Sequence, residues 1–218
     1  MKQNSTPTQK ALNLWALILI VWSVYRANFH LPEWFDEFIA KPLVFILPVY
    51  YYIKFIDKKN FFDDLDIKWK MVLPDFLYGI VIGLVFIGSI VLANLLKAGK
   101  PVTGSQSLAF GSIALVAATA LATSISEEIL SRGFILKKLY EESKNIYTSS
   151  FFASILFFFL HVPILMTTAG LTGNLLLLFM ATDIVLSLVN SFIFLERKSL
   201  VLPIFIHMFY IIALTLFV

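Results

Sequence analysis

Apolar residues in this sequence lie in continuous blocks of about 18–25 residues, the length that an α-helix needs to cross a hydrocarbon core about 30 Å thick. The chain of 218 residues is 59% hydrophobic and only 14% charged. A soluble domain has about 25% charged residues, and no stretch of this chain is polar enough to form one. The pattern therefore predicts an all-α fold, a polytopic bundle of transmembrane helices.

We count about seven candidate spans. They cover approximately residues 11–29, 38–55, 72–96, 108–130, 148–168, 171–195 and 200–218. Lys41 and Lys54 lie near the ends of the second span, so we expect both side chains to extend toward the headgroups. With a cytoplasmic N-terminus, 13 of the 17 lysines and arginines fall in cytoplasmic segments, and this asymmetry predicts an N-in, C-out topology.

Two local patterns in the first half of the chain concern packing. Gly79 and Gly83 form a G-x-x-x-G pair, with Gly88 nearby, which is typical of a close contact between membrane helices. Residues 57–70 mix aromatic and aliphatic side chains with lysines and aspartates. Two interpretations of this segment stay open, namely a segment that lies along the headgroups and an ordinary connecting loop.

Composition excludes several kinds of chemistry. The sequence contains no cysteine, which rules out disulfides, thiolate metal sites and a cysteine nucleophile. The net charge is +3, and no run of basic residues indicates nucleic-acid binding. Function is therefore best sought among the ionisable residues inside the apolar segments, each of which costs about 2.5–3.5 kcal/mol at a helix centre.

The first group of such residues lies toward the cytoplasmic end of the fourth span. Glu128 and Arg132 are four residues apart, share a helix face and can form an ion pair. Glu127 points about 100° away from Glu128 and lies about 15 Å from the headgroups if the helix continues to the lysines that follow. The alternative interpretation is a juxtamembrane charge cluster that sets topology, which accounts for Arg132 better than for two adjacent glutamates.

Two of the three histidines also lie in spans. His161 is in the fifth span and His207 in the last, and we expect both to share a site with the glutamates, although a single membrane histidine often only bonds a neighbouring helix. His30 is predicted to lie in an outer loop. Asp183 and Asn190 share a face of the sixth span, and we interpret Asp183 as an interhelical hydrogen bonder outside the catalytic set.

Two glutamates and two histidines are a set that suits activation of a water molecule. A carboxylate can take a proton from water, and an imidazole can orient that water and later deliver a proton. A second imidazole can stabilise the oxyanion that forms on an attacked carbonyl group. The same set could instead bind a metal, although the sequence has no His-Glu-x-x-His pattern.

At these positions the sequence resembles the CPBP family of CAAX proteases and bacteriocin-processing enzymes, also called the Abi family. The family's motifs are Glu-Glu-x-x-x-Arg, Phe-x-x-x-His and a C-terminal His-x-x-x-Asn. They appear here, in the same order, as Glu127-Glu128-x-x-x-Arg132, Phe157-x-x-x-His161 and His207. The resemblance covers about residues 108–218, the family's core with four spans. Residues 1–107 are left as a variable N-terminal part with three spans and an interfacial loop.

The resemblance implies an intramembrane endopeptidase of the glutamyl type that uses neither a metal nor a cofactor. In this scheme Glu127 is the general base, and His161 holds the attacking water together with it. His207 contributes to the oxyanion hole. Glu128 and Arg132 form a structural ion pair within the site.

The chain departs from the family pattern at one position. The family's asparagine should stand four residues after His207, where this chain has Ile211. Isoleucine cannot donate a hydrogen bond, and loss of one oxyanion donor costs about 10²–10³ in rate. Either Tyr210 or Asn190 supplies a substitute donor, or proteolysis is weak or absent.

Three functional hypotheses follow. The first is an endopeptidase of a bacterial cell membrane that cleaves a membrane peptide or a lipid-anchored protein. The second is a catalytically weak or inactive relative, an immunity or scaffold protein that binds a partner membrane protein. The third is a proton-coupled transporter, because intramembrane acids and histidines also form relays, but the sequence shows no internal repeat. All three place the chain in the lipid bilayer, and none involves nucleic acid.

Overall fold

A computed structural model describes residues 5–98, 110–167 and 173–217, and every regular element in these ranges is helical. We number the helices α1 to α8 in chain order. They are α1 (Pro7–Asn28), α2 (Glu33–Ile56), α3 (Phe61–Asp64), α4 (Val72–Ala98), α5 (Phe110–Glu128, continuing through Ile129–Leu136 and Lys137–Ser143), α6 (Ile146–Thr167), α7 (Gly173–Arg197) and α8 (Val201–Phe217).

Six of the helices in the described part of the chain are long and apolar enough to cross a membrane, namely α1, α2, α4, α5, α6 and α7. The last helix, α8, is apolar but shorter. Each of the seven predicted spans corresponds to one of these helices, so the prediction of a polytopic helical bundle is confirmed. The predicted span ends at residues 108, 168, 171 and 218, and the boundary between residues 107 and 108, lie outside the described residues.

Local sequence explains where α1 begins and how α5 winds. The Thr6 hydroxyl accepts from the backbone N–H of Gln9, and the Gln9 side chain accepts from the N–H of Thr6, a reciprocal cap that starts α1 at Pro7. In α5 the turns widen to a π-helix over Ile129–Leu136, directly after the two glutamates. Such wide turns are frequent at functional sites.

The glycine pair of α4 lies against α8. A Cβ on Gly79 would lie 2.7 Å from the Cβ of Phe205, and one on Gly83 would lie 2.7 Å from the Cβ of Phe209. The predicted close helix contact is therefore confirmed, because no side chain fits between the two backbones. Gly88 does not take part, since a Cβ there would meet no atom within 4 Å.

The segment between α2 and α4 is a loop docked onto the helix bundle. Leu65 is fully buried, and its Cδ2 lies 2.6 Å from where a Cβ on Gly133 would be. The carbonyl of Asp66 accepts from the N–H of Leu200 at 3.1 Å. Trp69, in contrast, is 68% exposed. The loop thus has an anchored backbone and an outward aromatic ring, and its position along the headgroups stays a prediction.

Four segments that the topology prediction assigns to the cytoplasm meet at one end of the bundle. The Thr8 hydroxyl donates to the carbonyl of Lys138, whose ammonium lies 2.6 Å from the Asp57 carboxylate. The Lys68 ammonium donates to the carbonyl of Arg197 at 3.3 Å. We call this the lysine-rich end, and its orientation toward the cytoplasm stays a prediction.

Candidate active site

The two adjacent glutamates of α5 are both buried, and Glu128 is held in a network of donors. Glu128 is 0% exposed, and its Oε1 lies 3.0 Å from Nη1 of Arg132, which forms the ion pair that the four-residue spacing predicts. Nδ2 of Asn190 and Nδ1 of His207 reach the same oxygen at 3.1 and 3.0 Å. The Arg132 guanidinium also lies 4.2 Å over the ring of Phe157. Glu128 therefore ties α5 to α7 and α8.

The structure brings Glu127, His161 and His207 together. Oε2 of Glu127 lies 3.2 Å from Nε2 of His161 and 3.7 Å from Nε2 of His207. The three residues come from three different helices, α5, α6 and α8. The catalytic roles of the three residues stay a prediction. His30, the third histidine, is exposed at the end of α1.

Asp183 lies beside the same residues as a partner of His161 from another helix, and its exclusion from the catalytic set stays a prediction. Its Oδ2 is 3.4 Å from Nδ1 of His161, which also lies 3.2 Å from the carbonyl of Phe157. One imidazole therefore has an acceptor at each nitrogen, Glu127 on one side and Asp183 on the other. This arrangement fixes the plane of the ring.

These side chains line a cavity of about 270 Å³. Its polar lining residues are Glu33, Glu37, Lys41, Thr123, Glu127, His161, Asp183, His207 and Tyr210. Ile211 also lines it, so an apolar side chain faces the cavity where the family has an asparagine. Thr123, Ile211 and Leu214 lie on the side of the cavity that faces away from the lysine-rich end.

Neither candidate substitute for the asparagine directs a free donor at the cavity. The Tyr210 hydroxyl donates to Oγ1 of Thr182 at 2.7 Å. Asn190 is buried outside the cavity lining, where its amide donates to Glu128 and to the carbonyl of Pro203 at 3.2 Å. Within this geometry the amide group of Asn190 braces Glu128 instead of facing a substrate.

Lys41 of α2 is a site residue that sequence reasoning missed. Its side chain is only 5% exposed and does not extend toward the headgroups, contrary to expectation. The ammonium lies 2.8 Å from Oε1 of Glu127 and 2.8 Å from Oε2 of Glu37. The sequence does contain a signal for a buried lysine here. Glu37 stands four residues before Lys41 inside an apolar segment, and this spacing allows an ion pair on one helix face.

A metal centre finds no support in the arrangement of donors. Among the described residues, no group of three or more histidines and carboxylates is arranged to hold a metal ion. The Lys41 ammonium also already occupies the position beside Oε1 of Glu127. The donor set instead resembles that of a carboxylate that acts on water.

Comparison with protein families agrees with the motifs. Residues 109–213 match the family model described as type II CAAX prenyl endopeptidase Rce1-like. Comparisons with curated proteins and with solved structures give no match. The matched region contains Glu127, His161 and His207, whereas Lys41 precedes it. The match supports the assignment of residues 109–213 to the CPBP family of CAAX proteases.

Proposed function

We propose that this chain is a membrane-embedded endopeptidase that hydrolyses a peptide bond of a membrane-associated peptide or protein. The observation that supports this proposal most strongly is the position of Oε2 of Glu127. This oxygen faces Nε2 of both His161 and His207 at the wall of the cavity and accepts no hydrogen bond with good geometry from the described residues. A carboxylate oxygen between two imidazoles is a position where a water molecule can be held and deprotonated.

The proposed reaction begins when Glu127 takes a proton from a water that contacts both Oε2 and Nε2 of His161 from the side of the cavity. The hydroxide forms a bond to the carbonyl carbon of the substrate, and the carbonyl electron pair moves onto its oxygen. The tetrahedral intermediate then expels the amine, which receives the proton that Glu127 accepted. Asp183 holds His161 in place through Nδ1 during both steps.

In this proposal His207 stabilises the oxyanion. Its Nδ1 faces the Glu128 carboxylate at 3.0 Å, so this nitrogen donates and leaves Nε2 directed at the cavity. When Nε2 also carries a proton, the imidazolium can donate to the oxyanion. Ile211 supplies no second donor, and we therefore expect a slower enzyme than a relative with the asparagine.

The test is hydrolysis by the full chain reconstituted in lipid. The probes are an internally quenched, prenylated CAAX peptide, the class that the family description names, and the same peptide without the prenyl group. We expect Glu127→Gln to lower the rate by at least about 10², the scale of a lost general base. Glu196→Gln, at an exposed position of α7, is the matched control and should keep the parent rate.

The second candidate function is that of an inactive relative, an immunity or scaffold protein that binds a partner membrane protein. Ile211 in the cavity wall is the observation that favours it. If no membrane peptide gains a new terminus when the chain is produced in cells, and cells with Glu127→Gln behave as the parent does, the endopeptidase proposal is wrong and this alternative stands.

A further inference from the structure

Two contacts with the same sequence separation join α2 to α5. The Thr123 hydroxyl donates to Oε2 of Glu37 at 2.5 Å, and one turn further along both helices Lys41 donates to Oε1 of Glu127 at 2.8 Å. Each pair is separated by 86 residues. The two helices therefore run parallel in a defined register, and α2 contacts the turn of α5 that carries Glu127.

The charges of this contact are buried. The side chains of Lys41 and Glu127 are each 5% exposed, and that of Glu37 is 9% exposed. Removing one partner of a buried ion pair leaves an uncompensated charge, which is strongly unfavourable. Among the described residues that line the cavity, Lys41 is also the one cation with a fixed charge.

The two oxygens of Glu127 have different partners. Oε1 is bound by the Lys41 ammonium, whereas Oε2 is directed at His161 and His207. A carboxylate rotates freely about its terminal bond unless something fixes it, and the Lys41 contact fixes it. The lysine thereby holds one oxygen of the carboxylate and leaves the other directed at the histidines.

We propose that Lys41 is a positioning residue of the catalytic site, which holds Oε1 of Glu127 and keeps this carboxylate ionised with Oε2 directed at the histidines. The inference rests on the proposed function, in which Glu127 is the general base. Lys41 lies before the residues that the family model matches, so the N-terminal part of the chain completes the site.

Among the described residues, the ion-pair partners of Glu127 come from three other helices. They are Lys41 from α2, His161 from α6 and His207 from α8, with Glu37 and Asp183 one contact further away. Without Lys41, the remaining partners of Glu127 are imidazoles, and a buried carboxylate that loses a permanent cation takes up a proton more readily.

The experiment uses dicyclohexylcarbodiimide, an apolar reagent that modifies carboxyl groups in their protonated form, on the purified full chain in lipid nanodiscs. Modification of Glu127 is quantified by mass spectrometry of its peptide between about pH 5 and pH 9. We expect several-fold more modification of Glu127 near neutral pH in Lys41→Met than in the parent. Lys41→Arg, which keeps the cation, should restore the parent profile. Lys54→Met, at an exposed position of the same helix, is the control.

The labelling needs no turnover, so its failure is distinct from failure of the proposed function. A lysine with a merely structural role would make Lys41→Met less stable yet leave the pH profile of Glu127 modification in the folded protein unchanged, and that result would overturn the inference. If Lys41→Met does not fold, the parent protein provides the test. In the parent, Glu127 should be modified less than Asp183 near neutral pH. The reverse order would refute the role of Lys41.

Discussion

Glu127 and Glu128 are neighbours in sequence, but their carboxylates have different partners, and only Glu127 lines the cavity. Glu128 receives an arginine, an amide and an imidazole on one oxygen, and no part of it lines the cavity. Glu127 has a lysine on one oxygen and presents the other to the histidines of the cavity. Adjacent residues of a helix point about 100° apart, which is enough to separate a bracing carboxylate from one that is directed at the cavity.

At the residue scale, the Glu128–Arg132 pair gives a stability prediction. Both side chains are buried, and Arg132→Met leaves the Glu128 carboxylate without its cation. We expect a loss of about 3–5 kcal/mol in the free energy of unfolding. The measurement is unfolding by a denaturing detergent in mixed micelles.

The double variant with Glu128→Gln and Arg132→Met is the control for this pair. Because it removes both charges, it should lose less stability than the sum of the two single variants. Additive losses would show that the two side chains do not stabilise each other.

Residue spacing within one helix predicted part of this site but not all of it. The Glu128–Arg132 pair follows from four residues on one helix, and the two histidines follow from the order of the motifs. The contacts of Lys41 and Asp183 join different helices, and spacing along the chain does not encode such contacts. Lysines near the ends of a span generally extend toward the headgroups. Lys41 does not, because a carboxylate of another helix binds its ammonium group.

At the scale of elements, the contact of α4 with α8 positions His207. Gly79 and Gly83 let the two backbones approach, and Phe209, two residues after His207, fills the space above Gly83. A sequence with a G-x-x-x-G pair predicts a close contact but not its partner, because the pattern says nothing about the other helix.

Gly83→Ala tests this contact. Its Cβ would lie 2.7 Å from that of Phe209, so α8 must shift, and we expect a loss of about 1–3 kcal/mol in the free energy of unfolding together with slower hydrolysis. Gly88→Ala meets open space and should not destabilise the protein. Equal unfolding curves for the two variants would contradict the packing described.

At the scale of the whole molecule, hydrophobic blocks predicted the number and approximate ends of the helices, because the thickness of a bilayer dictates span length. They did not predict which helices pack together. The lysine-rich end shows this limit, since charge counts predicted that its segments share one side of the membrane, while contacts such as that of Lys138 with Asp57 are visible only in three dimensions.

Because the sequence contains no cysteine, single cysteines can be introduced to test the topology directly. A single cysteine at His30 should react with a membrane-impermeant maleimide added to intact cells, whereas one at Lys10 should react only after permeabilisation. Both positions are exposed in the structure. Labelling at position 10 but not at position 30 in intact cells would contradict the predicted N-in orientation.

The paired contacts of α2 with α5 also restrict how these helices can be assembled. If α2 slid by one turn in one direction, Glu37 would stand opposite Glu127, and two carboxylates would repel each other. One turn in the other direction would place Phe45 there and leave Glu127 without a cation. Only the observed alignment neutralises the buried charge. The glutamate and lysine of α2 thus fix the alignment of α2 on α5, and in related sequences substitutions at position 37 should be accompanied by compensating changes at position 123.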